Sequence, residues 1–181
     1  MESPKNFGTG ETVIYPMLGK CMVMGLEEKS IGGETLSFYK LEVQKSSFSR
    51  SARQEPAVWI PVAAAREQGL RPPLRTEEAP ELFKIFASRE YYFDLNRNWN
   101  LIQADCENAI RREGALGLAK VASGLYVLKK RQIVPSAEVS RFSEMIDRLL
   151  YRELSEATGE SIRALEEQVK KLMRPKLTPD S

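Results

Sequence analysis

Roughly the first seventy residues carry short alternating runs of apolar and polar side chains, and a helical period fills most of the remaining chain. Residues 12–15, Thr-Val-Ile-Tyr, are β-rich and stop at Pro16, as a strand end does. Residues 21–26 predict a second strand, and Gly32-Gly33 a tight turn after it. Residues 36–43 alternate, with Phe38, Lys40 and Glu42 on one side and Tyr39, Leu41 and Val43 on the other. Residues 46–54 read as a polar loop with Arg50 and Arg53, and residues 57–62 as a fourth short strand. Strand neighbours point to opposite faces, so only one of Trp59 and Ile60 turns inward; with Ile60 inside, Trp59 is left for a partner. Closely spaced strands without a helical pattern between them predict a small barrel-like β domain. Its exposed edge suits strand addition by a partner.

Past Gly69, Leu70, Arg71, Pro72 and Pro73 the period changes. Thr76 is placed to cap a helix whose first turn holds Glu77 and Glu78 and whose stripe is Leu82, Phe83 and Phe86. Residues 88–98 are polar and aromatic and predict irregular chain. Ile102, Cys106, Ala109 and Ile110 then share a helix face over 99–112, ended by Gly114. Residues 116–128 give another helix. Ser136 caps a longer one carrying Val139, Phe142, Ile146, Leu149 and Leu150 on one face. After the break at Thr158-Gly159, Ile162, Leu165, Val169 and Leu172 define a last helix, ended by Pro175. The expected class is α+β: a β domain over residues 1–74, an all-helical domain over 75–174 and a loose tail over 175–181.

Composition narrows the function classes. The chain of 181 residues is 42% hydrophobic and 29% charged, as globular proteins are. No apolar stretch reaches membrane-spanning length, and the N-terminus lacks a signal peptide's apolar core, so a cytoplasmic protein is expected. There is no histidine, and the two cysteines, Cys21 and Cys106, stand far apart. This argues against a zinc site, a disulfide framework and histidine-based catalysis. The carboxylate pairs Glu27-Glu28, Glu77-Glu78 and Glu166-Glu167 are sequence neighbours, which point apart, so they read as solvated charges. No cofactor and no enzymatic activity are expected.

The net charge of +2 is unevenly spread. Residues 97–134 hold seven Lys or Arg against three Asp or Glu, while residues 76–96 hold two against five. The positive stretch starts beside Trp99, in the run Asn96-Arg97-Asn98-Trp99-Asn100. An indole among amides and a guanidinium either docks one helix on another or works on a nucleic acid, as a wedge or a stacking platform. Arg97, Arg111 and Arg112 are candidate phosphate contacts; Lys129, Lys130 and Arg131 read as a solvated face.

Phe7-Gly8, Gly10-Glu11, Val13-Ile14-Tyr15-Pro16, Gly19, Ile31, Gly33-Glu34, Phe38-Tyr39, Leu41, Ile60-Pro61-Val62 and Gly69-Leu70-Arg71 form an ordered set. In the helical half Asn98-Trp99, Gly114, Leu118-Ala119-Lys120-Val121 and Leu125 continue it, with Glu144 and Glu153 in a later helix. From Phe7 to about Leu154 the chain resembles the CarD/CdnL family of bacterial transcription regulators. The resemblance implies a Tudor-like barrel that docks on the RNA polymerase β subunit. It also implies a helical domain that contacts promoter DNA at the upstream edge of the −10 region. There Trp99 would enter the minor groove and hold the bubble open, with Arg97 beside it. Lys29, Ile31, Trp59 and Pro61 match the family's polymerase-facing surface. A monomer without cofactor or membrane partner is implied. Where the family has basic residues just after its tryptophan, this chain has Asn100, Leu101, Ile102 and Gln103. That departure motivates an alternative: a polymerase-docking adaptor that holds another protein and no DNA.

Overall fold

A computed structural model of the chain describes residues 6–44, 57–131 and 136–177. The expected polar loop at 46–54 and residues 178–181 lie outside them. The chain divides into two units, residues 1–73 and 74–181. The class is α+β, with a four-stranded antiparallel sheet in the first unit and five α-helices in the second among the described residues.

The sheet is a meander of β1 (Thr12–Tyr15), β2 (Gly19–Ile31), β3 (Glu34–Val43) and β4 (Val58–Pro61), in that spatial order. Among the described residues it is open, since β1 and β4 each pair on one side only and not with each other. The outer edge of β1 is covered instead by the chain at Arg71, which exchanges two backbone hydrogen bonds with Ile14 at 2.7 and 3.1 Å. One face buries Val13, Cys21, Val23, Tyr39, Leu41 and Ile60, with Leu70 closing over them. β2 and β3 are longer than their neighbours and run on as a hairpin. Its tip is the two-residue turn at Gly32 and Gly33, whose φ angles of 62° and 87° suit the turn type that matches strand twist.

A bulge between Val23 and Gly25 decides what that hairpin presents. Before it, Cys21 and Val23 face the core. With strict alternation Glu27, Lys29 and Ile31 would turn inward as well. The extra residue reverses the sides, so Gly25 lies opposite Lys40, Glu27 opposite Phe38 and Lys29 opposite Leu36, all turned away from the core.

In the second unit a 3-10 turn, Thr76–Glu78, leads into α1 (Ala79–Ala87). Thr76 is not its cap, contrary to expectation. The Thr76 hydroxyl donates to Ala157 O at 2.6 Å, and Glu78 accepts from the Arg75 N–H at 2.9 Å. Leu82 and Phe86 are buried and Phe83 half-buried. Leu74 belongs to this unit, where its N–H donates to the buried Glu153 at 2.9 Å. Three helices have side-chain caps. Asn98 caps α2 (Trp99–Glu113), Ser136 caps α4 (Ala137–Thr158) and Ser161 caps α5 (Ile162–Met173). Between them runs α3 (Ala115–Arg131), almost wholly buried along its centre. It passes so close to α2 that a Cβ on Gly117 would lie 2.2 Å from Ala109 O.

The C-terminal part differs from the expected pattern in two places. The buried face of α5 is Leu165, Val169 and Met173; Leu172 is half-buried and Ile162, in the first turn, is exposed. Nor is the chain loose at 175–177. Arg174–Leu177 is a 3-10 turn, and Lys176 is buried against the helices.

Candidate functional site

The two surfaces predicted to carry function lie in different units and are taken one at a time. On the sheet, Lys29, Ile31, Trp59 and Pro61 all stand on the outer face. Trp59 is opposite Lys40 and Pro61 opposite Phe38, while Ile60, between them, is buried in the core. Trp59 is 39% exposed, Ile31 54% and Leu36 39%. The indole N–H donates to Glu27 at 2.7 Å, and the Lys29 ammonium sits 4.1 Å from the ring centroid. Lys29 also lies 5.5 Å from the Phe38 ring, so its stem shields the buried phenyl group. Lys40 pairs with Glu27 at 3.1 Å. The Glu27 carboxyl is held below the ordinary value, first by the indole N–H and then by Lys40. The indole is therefore exposed yet held in one orientation, with apolar residues beside it and charges around it. Aromatic anchors of this kind are what protein interfaces are built on. Alternation in the sequence already put Phe38 and Lys40 on one side of their strand, though not with Trp59, whereas the side of Glu27 was hidden because parity arguments fail across an unseen bulge.

In the helical unit, Arg97 and Trp99 come together at the start of α2. Asn98 Oδ1 accepts from the Leu101 N–H at 3.2 Å and fixes the first turn. Trp99 is half-buried, its ring edge-to-face with Phe142 of α4 at 5.4 Å and 75°. Arg97 Nη1 donates to Asp105 Oδ2 at 2.6 Å. Arg111 and Arg112 are exposed at the other end of the same helix, about 18 Å along the axis from Trp99 at 1.5 Å per residue. Arg111 Nη2 donates to Asn108 Oδ1 at 2.7 Å. The four candidate DNA contacts thus make two groups, one at each end of α2. Of the other basic residues, Lys120 pairs with Glu113, Lys129 Nζ donates to Ser143 Oγ at 3.3 Å, and Arg131 stacks 5.0 Å from the Tyr91 ring. Phe142 and Asp105, the partners of Trp99 and Arg97, carried no signal in the sequence: one lies on another helix, the other eight residues away across a helix cap.

Lys176 was missed as well. Its ammonium donates to Ser123 Oγ at 2.5 Å and to Ile85 O at 3.0 Å, and its own carbonyl accepts from the Tyr91 hydroxyl at 2.9 Å. Burial lowers its pKa to about 8, against a smaller opposing effect of Glu90. A serine beside a lysine of lowered pKa has the composition of a hydrolytic dyad. Both side chains are nevertheless buried, at 2% and 3% exposure, so Ser123 Oγ is not presented to a substrate. The pair is an anchor for the C-terminal turn. Cys106 is equally withdrawn: burial first, then the charges of Asp105 and Glu107, push its thiol up to about 12.

No helix among the described residues is long and apolar enough to cross a membrane. No protein-family model matches the chain, and no curated protein matches it. What the fold itself defines is a two-unit α+β protein with an anchored aromatic on an open sheet face and a second aromatic at a capped helix start.

Proposed function

We propose that the protein is a cytoplasmic, non-enzymatic transcription regulator that docks on the RNA polymerase β subunit and on promoter DNA. In this reading the sheet unit is a Tudor-like module whose outer face meets the polymerase. The start of α2 meets the upstream edge of the bubble, where Trp99 enters the minor groove, and the protein acts as a monomer. One observation carries the reading. Lys29, Ile31, Trp59 and Pro61 come from two strands far apart in sequence, yet they share one solvent-facing surface with an oriented indole. To favour the open complex, the protein must bind it more tightly than the closed one. A difference of about 1.4 kcal/mol shifts that equilibrium tenfold, and equal affinity shifts nothing.

The first test is binding to the isolated lobe of the β subunit. Trp59→Ala and Lys29→Glu are expected to weaken it at least tenfold, as loss of an interface anchor does; unchanged affinity removes the docking role. The second is open-complex lifetime, which Trp99→Ala is expected to shorten while leaving polymerase binding intact.

A second reading, a polymerase-bound adaptor that holds another protein instead of DNA, is favoured by the state of the helix start. There Arg97 is already paired with Asp105, and the Trp99 ring already rests on Phe142. A salt titration with fork-junction DNA separates the two. Phosphate contacts impose a steep fall of affinity with salt, and the adaptor shows no binding even at low salt.

A further inference from the structure

The arginine nearest Trp99 is occupied. Its guanidinium donates to Asp105 Oδ2 at 2.6 Å, from the chain before α2 to a residue in the helix's second turn. The contact reaches across the Asn98 cap, so it is not part of the helix's own side-chain ladder. It is also a surface contact: the two side chains are 39% and 47% exposed. Exposed pairs of this kind contribute little to stability, so the fold does not need this one.

What the pair does is hold an anion in the place where a phosphate would bind Arg97. A guanidinium takes a carboxylate and a phosphate through the same donor fork. A duplex reaching the start of α2 therefore has to displace Asp105. It then has to tolerate that carboxylate beside its own backbone charge. We infer that Asp105 is a built-in competitor for the phosphate that Arg97 would hold, and that the Arg97–Asp105 pair is an autoinhibitory contact at the DNA-facing end of α2. This rests on the DNA reading of that surface. It also accounts for a chain that keeps Arg97 and Trp99 close together yet neutralises the basic group two residues before the indole.

The test uses the full chain and fork-junction DNA, with binding measured by fluorescence anisotropy across a salt series. Asp105→Asn is expected to tighten binding about two- to fivefold at low salt, the range an exposed ion pair spans, and to steepen the salt slope by about one phosphate contact. The gain is expected to vanish when Arg97→Gln is combined with Asp105→Asn, since the two residues act as one unit. Glu107→Gln removes the same charge from the same helix, with Glu107 bonded to Gln103 and not to Arg97, and is expected to leave the slope unchanged. Binding by the parent that Asp105→Asn leaves unaltered overturns the inference and leaves the DNA reading standing. A gain that persists with Arg97→Gln, or that Glu107→Gln reproduces, overturns it too, because charge alone then explains the effect. No binding by the parent or by Asp105→Asn at any salt overturns both.

Discussion

A lysine ammonium with a serine hydroxyl and one carbonyl for partners has given up most of its hydration, and Lys176 answers by losing proton affinity. Its pKa falls from the ordinary 10.5 to about 8. Between those values the unfolded chain binds the proton and the folded chain does not, so stability rises with pH across that window. Cys106 acts with the opposite sign: its thiol, ordinarily at 9.0, rises to about 12 in the fold, so stability is lost once the unfolded chain ionises above 9. The expected profile, read from urea midpoints, climbs from about pH 8 to 9, levels to about pH 10 and then falls, as the buried Tyr151 hydroxyl, also pushed up, adds its loss to that of Cys106. Lys176→Met is expected to remove the climb, and Cys106→Ala to let it continue. None of this was visible in the sequence. A four-residue turn has no period, and Pro175 marks the end of a helix without saying where the next residue goes. Trp59 was easier, because a single parity argument over Trp59 and Ile60 places one inside and frees the other.

Elements with long periods were legible to within a few residues. The starts of α2 and α4 are set by Asn98 and Ser136, each with its side chain accepting from the N–H three residues on. The Gly-Gly turn and the strand paired across it were readable from composition. What failed was local geometry that does not repeat: the bulge in β2, the 3-10 turn before α1, and the first turn of α5, where periodicity continues past the packed face to the exposed Ile162. Close approach is another such feature. Gly117 reads as a helix weakness, since alanine there gains up to about 1 kcal/mol in propensity. Its Cβ would meet the Ala109 carbonyl at 2.2 Å, however, and backbone cannot swing away. Gly117→Ala is therefore expected to destabilise the helical unit, by about 1–3 kcal/mol as overpacking does, measured by chemical unfolding. A gain in stability would mean that α2 and α3 separate easily.

At the scale of the whole molecule, each unit has its own buried residues, and each carries one of the two surfaces. A bridging regulator works by joining two weak contacts on one chain, since the second binding step then draws on a high effective concentration. On the proposed reading, residues 1–73 and 74–181 supplied as separate chains are expected to keep their individual contacts and to lose the lengthening of open-complex lifetime; lifetimes equal to the parent's would mean that linkage contributes nothing. Charge is divided in the same spirit. The stretch before Trp99 is acidic and the stretch after it basic, a contrast that the chain's small net charge conceals.

The bulge at Val23 and Gly25 has a consequence for how this surface can change over time. It fixes the side that each position from Gly25 to Ile31 faces. A lineage that lengthens or shortens the hairpin by matched pairs of rungs keeps the same face outward, whereas deletion of one residue beyond the bulge, such as Leu26, would turn Lys29 and Ile31 to the core side and bring Glu28 and Ser30 out beside Trp59. Drift in hairpin length is therefore quantised, and Lys29 can move nearer to or farther from the indole only in steps of two residues.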